Sequence, residues 1–278
     1  MKNTRAGYRC FEPAAARTWR CAGLILGAVL IITSACSASS VPAPPAATRA
    51  AVAQPEVEDT SALPEATTFA SLAASPLDST PGEETDGAVF HPTQETVVYN
   101  APGGRPIARL PITQVGSPTW VPVVGRQANW RQVLLPSRPN AATGWVSTSK
   151  QRVDEARSPY RVHVDTARFL LTVSENGNQI GQWTVGTGKP QFPTPHGRTF
   201  LLASIEETKP TFSPIILPLG FHSESHETFG GGPGTVALHG WPDSSPFGKA
   251  SSDGCVRVPG DALELLSTLP LGTIVIIQ

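Results

Sequence analysis

An excess of charge of either sign is missing from this chain. Its 278 residues carry 21 Lys and Arg against 22 Asp and Glu, a formal net charge of −1, so no global field favours nucleic acid or a polyanionic substrate, and recognition has to be local. Cysteine is scarce, with four residues in all. Cys10 and Cys21 precede or open an apolar run near the N-terminus and Cys36 follows it, which leaves the remainder of the chain one thiol, Cys255. One cysteine builds no disulfide framework; it is either a buried small hydrophobe or a free reactive thiol. Long hydrophobic runs are absent too. The run from Cys21 to Ala35 falls short of the roughly 20 residues a membrane span needs, and no later segment approaches that length.

What is present begins with a leader. Lys2, Arg5, Arg9, Arg17 and Arg20 stand against a single Glu12 before the apolar stretch "CAGLILGAVLIITSA", the charge-then-apolar order of a secretory signal. Its end, Thr33-Ser34-Ala35-Cys36, resembles the lipobox at which bacterial lipoproteins are cleaved and acylated. Residues 1–36 are therefore expected to be a signal peptide with Cys36 as the lipidation site. That places the mature chain outside the cytoplasm, anchored at the outer face of the cytoplasmic membrane and in contact with the cell wall.

Residues 37–94 are rich in Ala, Pro, Ser, Thr and acidic side chains; so little apolar surface does not offset ordering entropy, and a disordered tether is expected. From 95 to 150, short apolar stretches punctuated by Pro and Gly predict a small β-barrel or sandwich. Through "VYNAPGGRPIARL" and "NWRQVLLPSRPNAATGWV" it resembles bacterial SH3-like domains, with Trp120, Trp130 and Trp145 expected in its core.

The last segment, 159–278, is long enough for a core of its own. Asn176-Gly177 between apolar-rich runs predicts a β-hairpin, and "RTFLLASI", "TVALH" and "TIVII" predict strands. One helix is expected over Asp261–Leu269, with Ala262, Leu265, Leu266 and Leu269 on one face and Asp261 with Glu264 as a capping-box variant. The fold class is mainly β: a small SH3-like barrel followed by a β-sandwich or barrel domain with one short helix.

The segment "ALHGWPDSSPFGKASSDGCVRV" gathers the chemistry. His239 ends the predicted strand "TVALH", and a polar loop returns the chain to Cys255. A free thiol is mostly protonated at neutral pH, so nucleophilic use of Cys255 needs a base within hydrogen-bond reach, and His239 is the candidate. The same imidazole can return the proton to a leaving amine. Gly254 frees the backbone before Cys255, so the amides of Gly254 and Cys255 are candidates for an oxyanion hole.

At these residues the sequence resembles the L,D-transpeptidases, bacterial enzymes that remodel peptidoglycan. Their signature is a histidine, a loop, then Ser-His-Gly-Cys, an aliphatic residue and Arg or Asn; here it reads His239-Gly240, then Ser252-Asp253-Gly254-Cys255-Val256-Arg257. The stretches "VGTGKPQFPTPHGRTF" and "PLGTIVII" fit as well. The resemblance implies Cys255 as nucleophile, His239 as general base, the Gly240 carbonyl as its orienting group and the amides around Gly254 as oxyanion donors. Arg257, Ser252 and Asp253 are its substrate-side residues. Asp253 stands where His is commoner and adds negative charge beside the thiol, which disfavours the thiolate unless a cation offsets it.

The implied reaction is attack on the carbonyl of the third residue of a tetrapeptide stem, release of the terminal D-alanine, and resolution of the thioacyl-enzyme by an amine of another stem to give a 3→3 cross-link. The alternatives are an L,D-carboxypeptidase with water as acceptor and a non-catalytic wall-binding lipoprotein. The implied partners are peptidoglycan stem peptides and, through the lipid anchor, a membrane; no nucleic acid, cofactor or metal is implied. "HSESH", His222 to His226, invites a zinc reading, but its loop context does not align the ligands as a helix would, and "GGGPG" lacks the Gly-Lys-Ser/Thr of a phosphate cradle. His163 and His196 are expected to play surface roles.

Overall fold

The computed structural model describes residues 60–209, 211–229 and 231–278. The signal segment 1–36, Cys36 and the tether up to residue 59 lie outside the described residues. Among the described residues no helix is long and apolar enough to cross a membrane. The fold is mainly β, with one α-helix.

The N-terminal half contributes β1 (Ala88–Pro92), β2 (Thr96–Tyr99), β3 (Pro106–Leu110), the short pair β4 (Thr113–Gln114) and β5 (Ser117–Pro118), β6 (Val121–Gln127), β7 (Trp130–Leu134), β8 (Thr143–Ser147) and β9 (Val153–Arg157). Seven of these form one sheet in the order β3-β2-β8-β7-β6-β1-β9. The boundaries expected for this module, 95–150, do not enclose the sheet, since β1 and β9 pair in register from Ala88↔Arg157 to Pro92↔Val153. Its core is largely aliphatic, with Val98, Leu110, Val121, Val133 and Val146 fully buried beside Phe90 of β1. The three tryptophans expected there are only half-buried. Trp120 stacks on His91 with centroids 4.9 Å apart and Trp130 meets Tyr99 edge-on at 5.2 Å, because a core this narrow is filled by branched aliphatics and leaves the indoles at its rim.

Residues 60–87, read from composition as disordered tether, are a strap laid along this sheet. Ala66 donates to the Arg109 carbonyl and Arg109 to that of Pro64; Leu72 donates to Arg138 and Arg138 to Ala70; Asp78 donates to Ala141. Apolar burial, at Ala66 and Leu72, is a small part of what orders the strap. Backbone hydrogen bonds do most of it, and one buried ion pair helps: Asp78 receives Arg198 Nε at 2.8 Å and Nη2 at 2.6 Å, both side chains about 2% exposed. Composition registers neither term, so the expectation fails there.

The C-terminal half contributes β10 (Tyr160–Asp165), β11 (Leu170–Glu175), β12 (Asn178–Thr184), β13 (Thr187–Gly188), β14 (Gly197–Phe200), β15 (Ile205–Glu206), β16 (Ile215–His222), β17 (Thr235–His239), β18 (Ala250–Ser252), β19 (Val256–Arg257), α1 (Gly260–Ser267) and β20 (Ile274–Ile277). The predicted hairpin is β11–β12: Asn176 and Gly177 both take positive φ, 49° and 81°, as a tight two-residue turn requires. A five-stranded sheet runs β12-β11-β10-β20-β14. Its inner strand β20 is buried on both faces; Ile274 and Ile276 pack with the N-terminal core, while Val275 and Ile277 pack with the C-terminal one, as a period-two strand dictates. The two halves therefore share a wall. Helix α1 forms as expected and buries Ala262, Leu263 and Leu266, but its N-cap is Pro259 with no side-chain cap. Asp261 instead accepts the Trp183 indole N–H at 2.8 Å, so the capping box is not made.

Candidate active site

The site stands on a second sheet of the C-terminal half, β15-β16-β17-β19. Strands β17 and β19 are parallel, pairing Leu238↔Val256 and His239↔Arg257. Because successive side chains alternate faces, Leu238 and Val256 enter the core, both 0% exposed, and His239 and Arg257 face the other way. Continuing that register by one residue sets Cys255, just before β19, beside Ala237, whose backbone reaches the thiol. A diagonal step from Cys255 to His239 separates Cα atoms by on the order of 8 Å, within reach of an aromatic side chain. The sequence motif thus comes together.

His239 is 7% exposed, and its Nδ1 lies 2.7 Å from the Gly240 carbonyl oxygen. A carbonyl only accepts, so Nδ1 carries the proton and Nε2 keeps its lone pair. Gly240 is held in turn by Ser213, whose Oγ accepts the Gly240 amide at 2.8 Å and donates to the Ile215 carbonyl at 2.6 Å. A side chain at Gly240 would press on Ser213 Oγ at 3.1 Å and Leu263 Cδ2 at 3.3 Å, which is why glycine stands there. Burial pushes the His239 imidazole below its usual value, the Gly240 carbonyl works against that, and the Arg257 guanidinium adds to it. The ring is neutral at pH 7.

Cys255 is partly exposed. Burial raises its thiol above the usual range; a backbone hydrogen bond from Ala237 and the charge of Arg257 pull it down, and Asp253 pushes it up. Both directions favour a thiol and a neutral imidazole.

The turn before the thiol depends on Gly254, at φ +116°. Its amide donates to Ser252 Oγ at 3.2 Å, and Ser252 Oγ donates to the Cys255 carbonyl at 2.5 Å. The Gly254 amide is used inside the turn at rest, and the Cys255 amide stands beside it as an oxyanion candidate. Ser252, 1% exposed, braces the turn. Asp253 does face outward, and its charge is answered: Lys189 Nζ lies 2.6 Å from Oδ1. Arg257 stacks over Trp241 at 3.8 Å from the ring centroid, and Phe212 meets His239 edge-on at 5.0 Å, so the imidazole has an aromatic flank. Lys189, Ser213, Phe212 and Trp241 escaped the sequence reading, although Lys189 lay in the quoted stretch "VGTGKP" and Trp241 in "ALHGWP".

His222 and His196 are placed elsewhere. His222 is buried, its Nε2 2.7 Å from the Thr68 carbonyl oxygen, and His196 Nε2 lies 3.0 Å from Thr166 Oγ. Among the described residues no group of three or more His, Cys, Asp or Glu is placed to hold a metal.

Residues 159–277 match the YkuD family, described as the L,D-transpeptidase catalytic domain. The domain belongs to the L,D-transpeptidase family. The chain is 29% identical over 149 residues to a putative L,D-transpeptidase YkuD of Bacillus licheniformis, which covers 51% of this chain and 83% of the relative. To that of Bacillus subtilis strain 168 it is 29% identical over 121 residues, covering 43% and 66%. Similar solved structures include an L,D-transpeptidase from Mycobacterium smegmatis, 18% identical with a TM-score of 0.36 over 57% of this chain and 82% of that one. Another is L,D-transpeptidase 3 from Mycobacterium tuberculosis in complex with a faropenem-derived adduct, 16% identical with a TM-score of 0.39 over 51% and 75%. In this L,D-transpeptidase domain His239 ends β17, and the Ser-Asp-Gly-Cys segment is the turn that leads from β18 into β19, the parallel neighbour of β17.

Proposed function

We propose that the protein cross-links peptidoglycan stems, with Cys255 as nucleophile and His239 as general base. The observation that supports this reading is the parallel pairing of His239 with Arg257, two residues after Cys255, together with the imidazole tautomer fixed by the Gly240 carbonyl. As Cys255 Sγ attacks the carbonyl of the third residue of a tetrapeptide stem, His239 Nε2 takes the thiol proton. Collapse of the tetrahedral species breaks the peptide bond to the terminal D-alanine, and the imidazolium gives its proton to the departing amine. The side-chain amine of a second stem then attacks the thioester, its proton passes to His239, and the thiol re-forms. One amide replaces another, so no external energy source is needed. Arg257, beside both groups, supplies positive charge for the oxyanion and for substrate carboxylates.

The leader and the nature of the substrate support a location outside the cytoplasmic membrane, held there by a lipid on Cys36. The reading is tested by incubating the full mature chain with disaccharide tetrapeptides and separating the products by liquid chromatography with mass spectrometry. Free D-alanine together with a dimer lacking one D-alanine, both abolished in Cys255→Ala, is expected. Tripeptide with no dimer would make water the acceptor and the enzyme a carboxypeptidase. Unchanged tetrapeptide, with wall binding retained, would leave a non-catalytic wall-binding protein.

A further inference from the structure

The loop between β16 and β17 borders the candidate nucleophile. Ser223 Cβ lies 3.9 Å from where a Cβ on Gly254 would stand. The base of the loop is closed by the Ser223 amide donating to the Gly234 carbonyl, and Ser223 Oγ accepts the amides of Ser225 and His226. The His226 ring stacks on Phe192, centroids 4.1 Å apart. Lys189, the partner of Asp253, lies 4.7 Å over that same Phe192 ring. A line of contacts therefore runs from this loop through Phe192 and Lys189 to the residue two positions before Cys255.

What fixes the loop comes from the other half of the molecule. Arg138, between β7 and β8, donates from Nη1 to the Ser223 carbonyl at 3.2 Å, and from Nη2 to the carbonyls of His226 at 3.1 Å and Pro233 at 2.9 Å. Its neighbour Asn140 bonds both backbone groups of His222, accepting the amide and donating to the carbonyl, each at 2.8 Å. Three carbonyls gathered by one planar fork is a geometry that guanidinium provides and ammonium does not. None of these contacts needs a particular loop side chain, so the N-terminal half holds the backbone path and leaves the loop's outward side chains to vary.

We infer that Arg138 is a positioning residue through which the N-terminal β-module sets the backbone of the β16–β17 loop beside Cys255, so that the module is a working part of the acyl-transfer site. This rests on the reading of Cys255 as nucleophile. In the absence of the clamp the loop is free to shift, and a shift of about 1 Å at a reacting centre costs up to about 100-fold in rate.

The test compares wild type, Arg138→Ala, Arg138→Lys and Arg126→Ala in the full mature chain. Arg126→Ala removes one cation from an exposed pair with Asp86 far along the same sheet and serves as the charge control. Two quantities are followed: amide hydrogen exchange in peptides spanning 223–229, and the rate of Cys255 acylation by a carbapenem read by time-resolved mass spectrometry. Both Arg138 variants are expected to speed exchange in that loop and to slow acylation about tenfold or more, with Arg126→Ala unchanged in both. Lysine failing to rescue separates geometry from charge, and it keeps the test alive if the alanine variant does not fold. Wild-type exchange in the loop of Arg138→Lys, or wild-type acylation with a loosened loop, overturns the inference. If the wild type itself is not acylated at Cys255, the proposed function fails, and the exchange comparison alone decides whether Arg138 holds the loop.

Discussion

At the scale of the residue, the site is poised as two neutral groups. Burial drives the imidazole down and the thiol up, which favours the neutral forms near pH 7; in the proposed reaction the proton moves when a carbonyl is in place. As the proposed base, His239 has to be neutral, and its value sits below the usual 6.5, so the acid limb of the acylation rate is expected below pH 6.5; a limb centred above that value would contradict a buried base. Asp253 is the residue that departs from the family pattern, and the structure answers it with Lys189. The carboxylate still raises the thiol, so Asp253→Asn removes an upward push and frees a cation nearby. The pH at which iodoacetamide half-maximally alkylates Cys255 is expected to fall in that variant, and a rise would refute the electrostatic account.

Among the elements, the parallel pair β17–β19 and the turn leading into it do most of the positioning. The turn needs Gly254, whose φ of +116° is costly for any L side chain, although a Cβ there would meet its nearest neighbour at an ordinary 3.6 Å. Gly254→Ala is expected to lose about 1–3 kcal/mol from backbone strain, measured by urea unfolding, and to displace the Cys255 amide. This part of the site was legible in the sequence because it is local: a strand pattern ending in His239, a glycine at each hinge and one thiol. The hairpin at Asn176-Gly177 and the inner strand β20 were legible for the same reason, since turn chemistry and apolar runs are short-range signals. That Ser252 braces the turn was not legible, because a hydroxyl folded under its own turn looks no different in sequence from one facing a ligand. Lys189, Ser213 and Arg138 act across long separations, where a single polar residue carries no periodicity to betray it.

Over the whole molecule, the strap 60–87 and the shared wall at β14 and β20 join the two halves. The Asp78–Arg198 pair is their most buried charged contact among the described residues. Asp78→Ala leaves a guanidinium about 2% exposed without its carboxylate, and is expected to cost about 3–5 kcal/mol in denaturant unfolding. Replacing both partners by apolar residues of similar volume is expected to recover most of that loss; no recovery would mean that the hydrogen-bonded charges themselves are required there and that apolar packing does not substitute for them. The central claim, that Cys255 is the nucleophile and His239 its base, is tested most directly by intact-protein mass spectrometry after exposure to a carbapenem. Wild type is expected to gain the mass of one acyl adduct, Cys255→Ala to gain none, and His239→Ala to gain it about 100-fold or more slowly. An adduct in Cys255→Ala, or His239→Ala reacting at the wild-type rate, would contradict the account.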